Sequence, residues 1–114
     1  MQVSAPLIID SDIVAELKDV MGDDFSVLVE SFIRDGEQRL QAMRQALQGQ
    51  DRETLRAQAH SFKGSSSNLG AVQVCEHCLA LETLAMEGDL AQAQALLSVL
   101  EGDFEKAAGA LKTL

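Results

Sequence analysis

The chain has 114 residues, 46% of them apolar and only 4% aromatic, with 9 Lys and Arg against 18 Asp and Glu and a net charge of −9. About 65% of the unfolded surface of such a chain can be buried, enough for one core in one domain, residues 1–114, without disulfide staples. The charge excludes a nucleic-acid binder, whose groove needs clustered Lys and Arg, and disfavours anionic membranes; no basic leader or run of ~18 uncharged residues occurs, so a cytoplasmic chain is expected.

Pro6 is the only proline, and it and the residues before it read as an extended lead-in. From Asp10 or Ser11, either a suitable cap, Ile13, Leu17 and Val20 recur at helical spacing until Gly22. Residues 24–48 place Phe25, Leu28, Val29, Phe32, Ile33, Gly36, Leu40, Met43 and Leu47 on one stripe, closed by Gly49. Asp51 caps a third helix that runs to about Ser67 and is closed by Asn68 and Gly70. The fourth covers roughly 71–87. Gly88-Asp89 then stops it and caps the next, with Gln92 placed to complete a capping box. Leu90, Ala93, Leu97, Leu100, Phe104, Ala107, Leu111 and Leu114 alternate spacings of three and four, an a/d seam. Each long helix has one apolar stripe and the connections are short, which predicts an all-α, antiparallel up-down four-helix bundle with a short additional N-terminal helix.

The informative residues are polar ones in unusual places. The third helix has a core stripe of Leu55, Ala59, Phe62, Ser66 and Leu69, and His60 lies roughly 140° from its centre, on the solvent side. Ala57 and Gly64 flank it one turn below and above, with Ser67 beyond. Glycine inside a helix costs about 1 kcal/mol relative to alanine, and at i+4 it leaves open space in which another protein can approach the imidazole. Lys63, at i+3, brings an ammonium beside the ring. A neutral imidazole, with a reference pKa near 6.5, is a nitrogen nucleophile, and a phosphoryl group on it would be partly offset by Lys63. A lone exposed histidine is ordinarily a surface residue; the combination distinguishes this one.

On the fourth helix the apolar arc comprises Ala71, Val74, Cys75, Cys78, Leu79, Leu81, Ala85 and Met86, with Glu82 projecting inside it. A carboxylate directed at neighbouring helices is expensive unless paired. Antiparallel packing after the turn at 68–70 returns residue 82 to the level of 57–60. Glu82 can there accept a hydrogen bond from a ring N–H of His60, orienting the imidazole, or bridge to Arg56 or Lys63, and spacing alone leaves these open.

The run His60-Ser61-Phe62-Lys63-Gly64-Ser65-Ser66-Ser67-Asn68-Leu69-Gly70-Ala71 resembles the signature of histidine-containing phosphotransfer (HPt) domains, roughly H-x-L-K-G-S-[SA]-x-x-L-G. Ala59, Leu81-Glu82 and Gly88-Asp89-Leu90 extend the similarity over essentially the whole chain. The resemblance implies a phosphorelay intermediate on a four-helix bundle. His60 would accept a phosphoryl group from an aspartyl phosphate on the receiver domain of a hybrid sensor kinase and pass it to a response regulator. Lys63 matches the family's basic position, Gly64 its small residue, and residue 82 the imidazole's hydrogen-bond partner. Phe62 replaces the commoner leucine, and Glu82 a frequent glutamine. The chain would be a phosphocarrier rather than an enzyme, with no bound cofactor and with Mg²⁺ and most catalysis supplied by the receiver. Consistent with this, there is no glycine-rich phosphate loop and no acidic pair arranged for Mg²⁺.

Two other readings compete. Cys75, His77 and Cys78 are zinc-type ligands, but helical phase turns His77 more than 100° from the cysteines, and no second ligand pair follows. A lone C-x-x-C without a βαβ context is likewise not a redox motif, and two small core residues account for it better. The remaining rival is a bundle that only binds partners. For docking, helical position nominates Arg52, Arg56, Ala57, Ser61, Gly64 and Ser67, a small and locally basic face on an acidic chain. A monomer is expected. Met1 and a complete last helix favour a free-standing protein.

Overall fold

The computed structural model describes residues 8–114, so the lead-in around Pro6 lies outside the described residues. Five helices follow in order: α1 (Ser11–Met21), α2 (Asp24–Gln48), α3 (Arg52–Asn68), α4 (Val72–Glu87) and α5 (Leu90–Lys112). Aspartates start three of them. The Asp10 carboxylate accepts from the N–H groups of Asp12 and Ile13. Asp51 accepts from Thr54 and Asp89 from Ala91, so the orphan donors of each first turn find a partner. Asp10 rather than Ser11 is thus the first cap. Gln92 makes no return bond to Asp89 among the described residues, so that cap is one-sided.

Helices α2, α3, α4 and α5 touch in cyclic order, while α1 rests on α2. Arg52 of α3 reaches the carbonyls of Ala85 and Gly88, whereas His60 and Lys63 further along reach Glu82. Residue numbers fall along α4 as they rise along α3, so these two helices run in opposite directions. The core is most of the expected stripe set: Phe25, Val29, Phe32, Leu40, Met43 and Leu47 of α2, with Leu28 and Ile33 partly buried beside them; Leu55, Ala59, Phe62 and Ser66 of α3; and Ala93, Leu97, Leu100, Phe104, Ala107 and Leu111 of α5.

Three phenylalanines tie these helices together. Phe32, Phe62 and Phe104 form a mutual cluster with ring centroids 5.7–6.1 Å apart, a range favourable for tilted and edge-on aromatic pairs. A Cβ added at Gly36 would collide with the Phe104 ring. The glycine in the α2 stripe is therefore the space that Phe104 fills, and the phenylalanine at 62 is the third member of the cluster. At the α3–α4 turn, Gly70 has φ +76°, where an L side chain is strained, and its carbonyl accepts from the Asp10 N–H at 2.7 Å. That bond holds the start of α1 against the end of α3.

Several expected core positions are on the surface instead. Val20 is exposed, and Val14 is the buried residue of α1. Leu79 and Met86, placed in the α4 arc by their apolar character, are 53% and 56% exposed. The buried stripe of α4 is narrower, Val74, Cys78, Leu81 and Ala85. Leu114, the last residue of the α5 seam, is also half exposed. No helix among the described residues is long and apolar enough to cross a membrane.

Candidate functional site

His60 stands on the outer face of α3 with its side chain 60% exposed. Its Nδ1 lies 2.7 Å from Glu82 Oε2 of α4, and the Lys63 Nζ donates to Oε1 of the same carboxylate at 2.7 Å. Of the three partners that spacing left open, His60 and Lys63 are engaged together, and Arg56 pairs with Glu53 instead. The Lys63 ammonium holds the Glu82 carboxyl below its ordinary value of 4.5, the His60 contact adds to this, and partial burial opposes it. Glu82 is accordingly ionised at neutral pH and can only accept. It follows that the proton of the neutral imidazole is on Nδ1, donated to Glu82, and that the lone pair is on Nε2. The nucleophilic nitrogen points away from the carboxylate, into open space.

That space is built into α3. A Cβ at Gly64 would meet nothing within 4 Å, so no contact within the chain requires glycine there. Ala57, Ser61 and Ser67, on the same side, are exposed. The fold thus carries His60 between two exposed positions whose side chains are minimal.

The cations nominated for docking are each already engaged. The Arg52 guanidinium donates to Ala85 O at 3.1 Å and Gly88 O at 2.9 Å, satisfying carbonyls at the end of α4. Arg56 donates to Glu53 Oε1 at 2.6 Å, a partnership that raises the guanidinium further above its ordinary value. Lys63 is held on Glu82. The face around His60 is therefore less basic than a count of its cations suggests.

The cysteines take no part. Cys78 is fully buried, and burial pushes its thiol up to about 12, which leaves it an unreactive core side chain. His77 faces α5, where its Nδ1 lies 2.6 Å from Asp103 Oδ2 without the alignment of a hydrogen bond. Cys75, His77 and Cys78 are not brought together as a ligand set; among the described residues no three His, Cys, Asp or Glu side chains converge. Sequence reasoning missed the His77–Asp103 contact, which depends on how α4 is aligned with α5.

The Hpt domain family model matches residues 27–110. A crystal structure of histidine-containing phosphotransfer protein B (HptB) from Pseudomonas aeruginosa PAO1 superposes with a TM-score of 0.90 at 42% identity, covering 96% of this chain and 95% of that one. A putative histidine-containing phosphotransfer protein from rice shares the fold at 20% identity, with a TM-score of 0.84 over 93% of this chain and 79% of that one. No curated protein matches. An exposed histidine with one nitrogen held and the other free, on the helical fold these proteins share, closes the question of kinship: the chain belongs to the Hpt domain family.

Proposed function

We propose that the chain is a phosphorelay intermediate of two-component signalling, in which His60 takes a phosphoryl group from the aspartyl phosphate of one receiver domain and gives it to the aspartate of another. The observation that carries this reading is the polarity of the imidazole. Its Nδ1 is held on Glu82, the side chain is 60% exposed, and the space at Gly64 is open.

In the forward step the Nε2 lone pair attacks phosphorus, the P–N bond forms and the bond to the aspartyl oxygen breaks, leaving a carboxylate on the donor. Positive charge develops on the ring as Nε2 becomes bonded to phosphorus. The ionised Glu82, 2.7 Å from Nδ1, offsets that charge without taking the proton. In the onward step a receiver carboxylate attacks the same phosphorus, the P–N bond breaks and the neutral ring returns. Lys63 lowers the Glu82 carboxyl further and holds its second oxygen, and its ammonium lies where it can turn to phosphoryl oxygens.

The scaffold we infer for this is the up-down antiparallel four-helix bundle of α2–α5 with α1 as its short extra helix. The chain acts as a cytoplasmic monomeric carrier, not an enzyme; it needs no cofactor of its own, and Mg²⁺ belongs to the receiver. Similarity to a protein named for histidine phosphotransfer supports the reading. The test is incubation with a phosphorylated receiver domain. A phosphoryl group stable to base and labile to acid appears on the chain, and His60→Gln abolishes it. Transfer that persists in His60→Gln overturns the assignment.

A further inference from the structure

We propose that Arg52 is a positioning residue for the reaction: it fixes α4 along α3 and so sets the Glu82 carboxylate on the Nδ1 of His60. The consequence for the rate rests on the phosphotransfer reading above, while the effect on the imidazole does not.

Glu82 has to be placed within a hydrogen bond's length of a ring carried by another helix, and little in α4 does this locally. No side chain caps its first turn, and no basic residue stands in its last one. Its buried side chains, Val74, Cys78, Leu81 and Ala85, choose the face turned to the bundle. Hydrophobic contact is non-directional, so the directional bonds define position along and around the axis. Among the described residues the side-chain hydrogen bonds from α3 to α4 and its cap come from Arg52, His60 and Lys63. The last two end on the Glu82 carboxylate itself. Arg52 is therefore the tie that holds α4 without passing through the group to be placed.

The geometry of that tie suits the task. Nη1 of Arg52 donates to Ala85 O at 3.1 Å and to Gly88 O at 2.9 Å, so both of its N–H bonds are committed. These carbonyls stand at the C-terminal end of α4, where unpaired acceptors and the negative end of the helix dipole favour a cation. Along α3, Arg52 precedes His60 by about 12 Å, and along α4 the two carbonyls follow Glu82 by about 4.5 and 9 Å. The helices run in opposite directions, so these spans point the same way, and the long arginine side chain makes up the difference. At the other end the Ala71 N–H donates to Ser66 O at 2.9 Å and closes the α3–α4 turn. Glu82 lies between these two fixed points. With the Arg52 tie released, the carboxylate can drift from the ring. A neutral imidazole then carries its proton on Nε2 for more of the time, which masks the attacking lone pair, and the charge that develops on the ring loses part of its offset.

Arg52→Met and Arg52→Lys test this against the wild-type chain. The first keeps the apolar stem and removes the donors; the second returns an ammonium. Arg52 is exposed and the buried side chains of α4 are untouched, so both variants are expected to fold, and melting curves set a temperature at which all three chains are native. Three quantities are read: the share of His60 with its proton on Nδ1, from ring nitrogen shifts in NMR; direct phosphorylation by phosphoramidate, which requires no protein surface; and transfer from a phosphorylated receiver domain. In Arg52→Met the Nδ1–H share is expected to fall, and labelling and transfer to slow together by about fivefold with KM for the receiver unchanged, short of the roughly hundredfold that displacement by an ångström costs. Arg52→Lys is expected to recover most of each loss. A lower Tm with the ring tautomer and labelling unchanged makes Arg52 a helix cap only and overturns the proposal. Transfer that slows through KM while phosphoramidate labelling is unchanged makes it a docking cation and overturns it as well. If no receiver phosphorylates the wild-type chain, the phosphotransfer reading falls, and the ring tautomer still decides whether Arg52 sets Glu82 on His60.

Discussion

His60 and His77 each bring Nδ1 up to a carboxylate of the next helix, 2.7 Å from Glu82 in one case and 2.6 Å from Asp103 in the other. Chemically the pairs are alike, yet their surroundings are opposite. The His60 ring is 60% exposed, flanked by Ala57 and Gly64, while His77 is 24% exposed and wedged between α4 and α5. Glu82 is shared with Lys63, whereas no Lys or Arg is paired with Asp103 among the described residues. A histidine–carboxylate pair is therefore not by itself a reactive site. What sets His60 apart is its exposure beside minimal side chains and the Lys63 ammonium that shares its carboxylate.

The sharpest way to break that contrast is to fill the space. In Gly64→Gln the added Cβ meets nothing within 4 Å in the free protein, and loss of an interior glycine favours the helix by about half to one kcal/mol. The variant should melt no lower than the wild type. Transfer from a phosphorylated receiver should nevertheless fall on the order of a hundredfold, because displacement of the reacting atoms by about an ångström costs that much. A well-folded Gly64→Gln that transfers at the wild-type rate would show that access to the ring is not what distinguishes His60.

Removing the cation is a milder change. In Lys63→Ala transfer is expected to slow about tenfold, the scale of one lost charge-assisted contact, with little loss of melting temperature because Lys63 is on the flank of α3. The pH dependence carries the more specific signal. Lys63 is the main reason that the Glu82 carboxyl is held below 4.5. A carboxyl depressed in the native state contributes stability that is complete above its ordinary value and is lost as the pH falls through the native one. Without Lys63 the native value climbs back toward 4.5, so acid should break the His60–Glu82 contact at a higher pH than in the wild type. Titration of the His60 ring signals by NMR reads this directly. An acid limb unmoved by the substitution would mean that Lys63 does not govern Glu82.

How much of this was legible in the sequence depended on whether one helix or two had to be placed. His60, Lys63 and Gly64 share α3, so helical phase alone put the histidine outside and the glycine beside it. Glu82 required a second helix, but the short turn at 68–70 fixed the register closely enough to bring residue 82 to the histidine. Leu79 and Met86 were assigned to the core because apolar character suggests burial, whereas α4 needs only Val74, Cys78, Leu81 and Ala85 to fill its contact with the bundle. Arg52 was read as a docking cation, but its long side chain reaches the carbonyls of Ala85 and Gly88. Phe62 looked like a simple replacement for leucine until Gly36, from another helix, was seen to make room for Phe104 in the same aromatic cluster. No motif ties α4 to α5, and the His77–Asp103 contact was invisible for that reason.

The smallest expected effect concerns that second pair. His77→Gln removes the one side chain within ion-pair distance of Asp103 and leaves a carboxylate that is only 14% exposed facing a neutral amide. The facing atoms are buried but lack hydrogen-bond alignment, so the loss should cost on the order of 1 kcal/mol, the low end for a buried polar group left without its partner. In a domain of about 100 residues that is a fall of roughly 4–8 °C in Tm. Phosphotransfer should be unchanged, since neither residue borders the His60 face. His77→Gln and His60→Gln then make opposite signatures, one lowering stability with transfer intact and the other abolishing transfer with the fold intact. If His77→Gln also cost a large part of the transfer rate, the α4–α5 pair would have to act on α4 and hence on Glu82, and the two histidines would be coupled through one helix rather than independent.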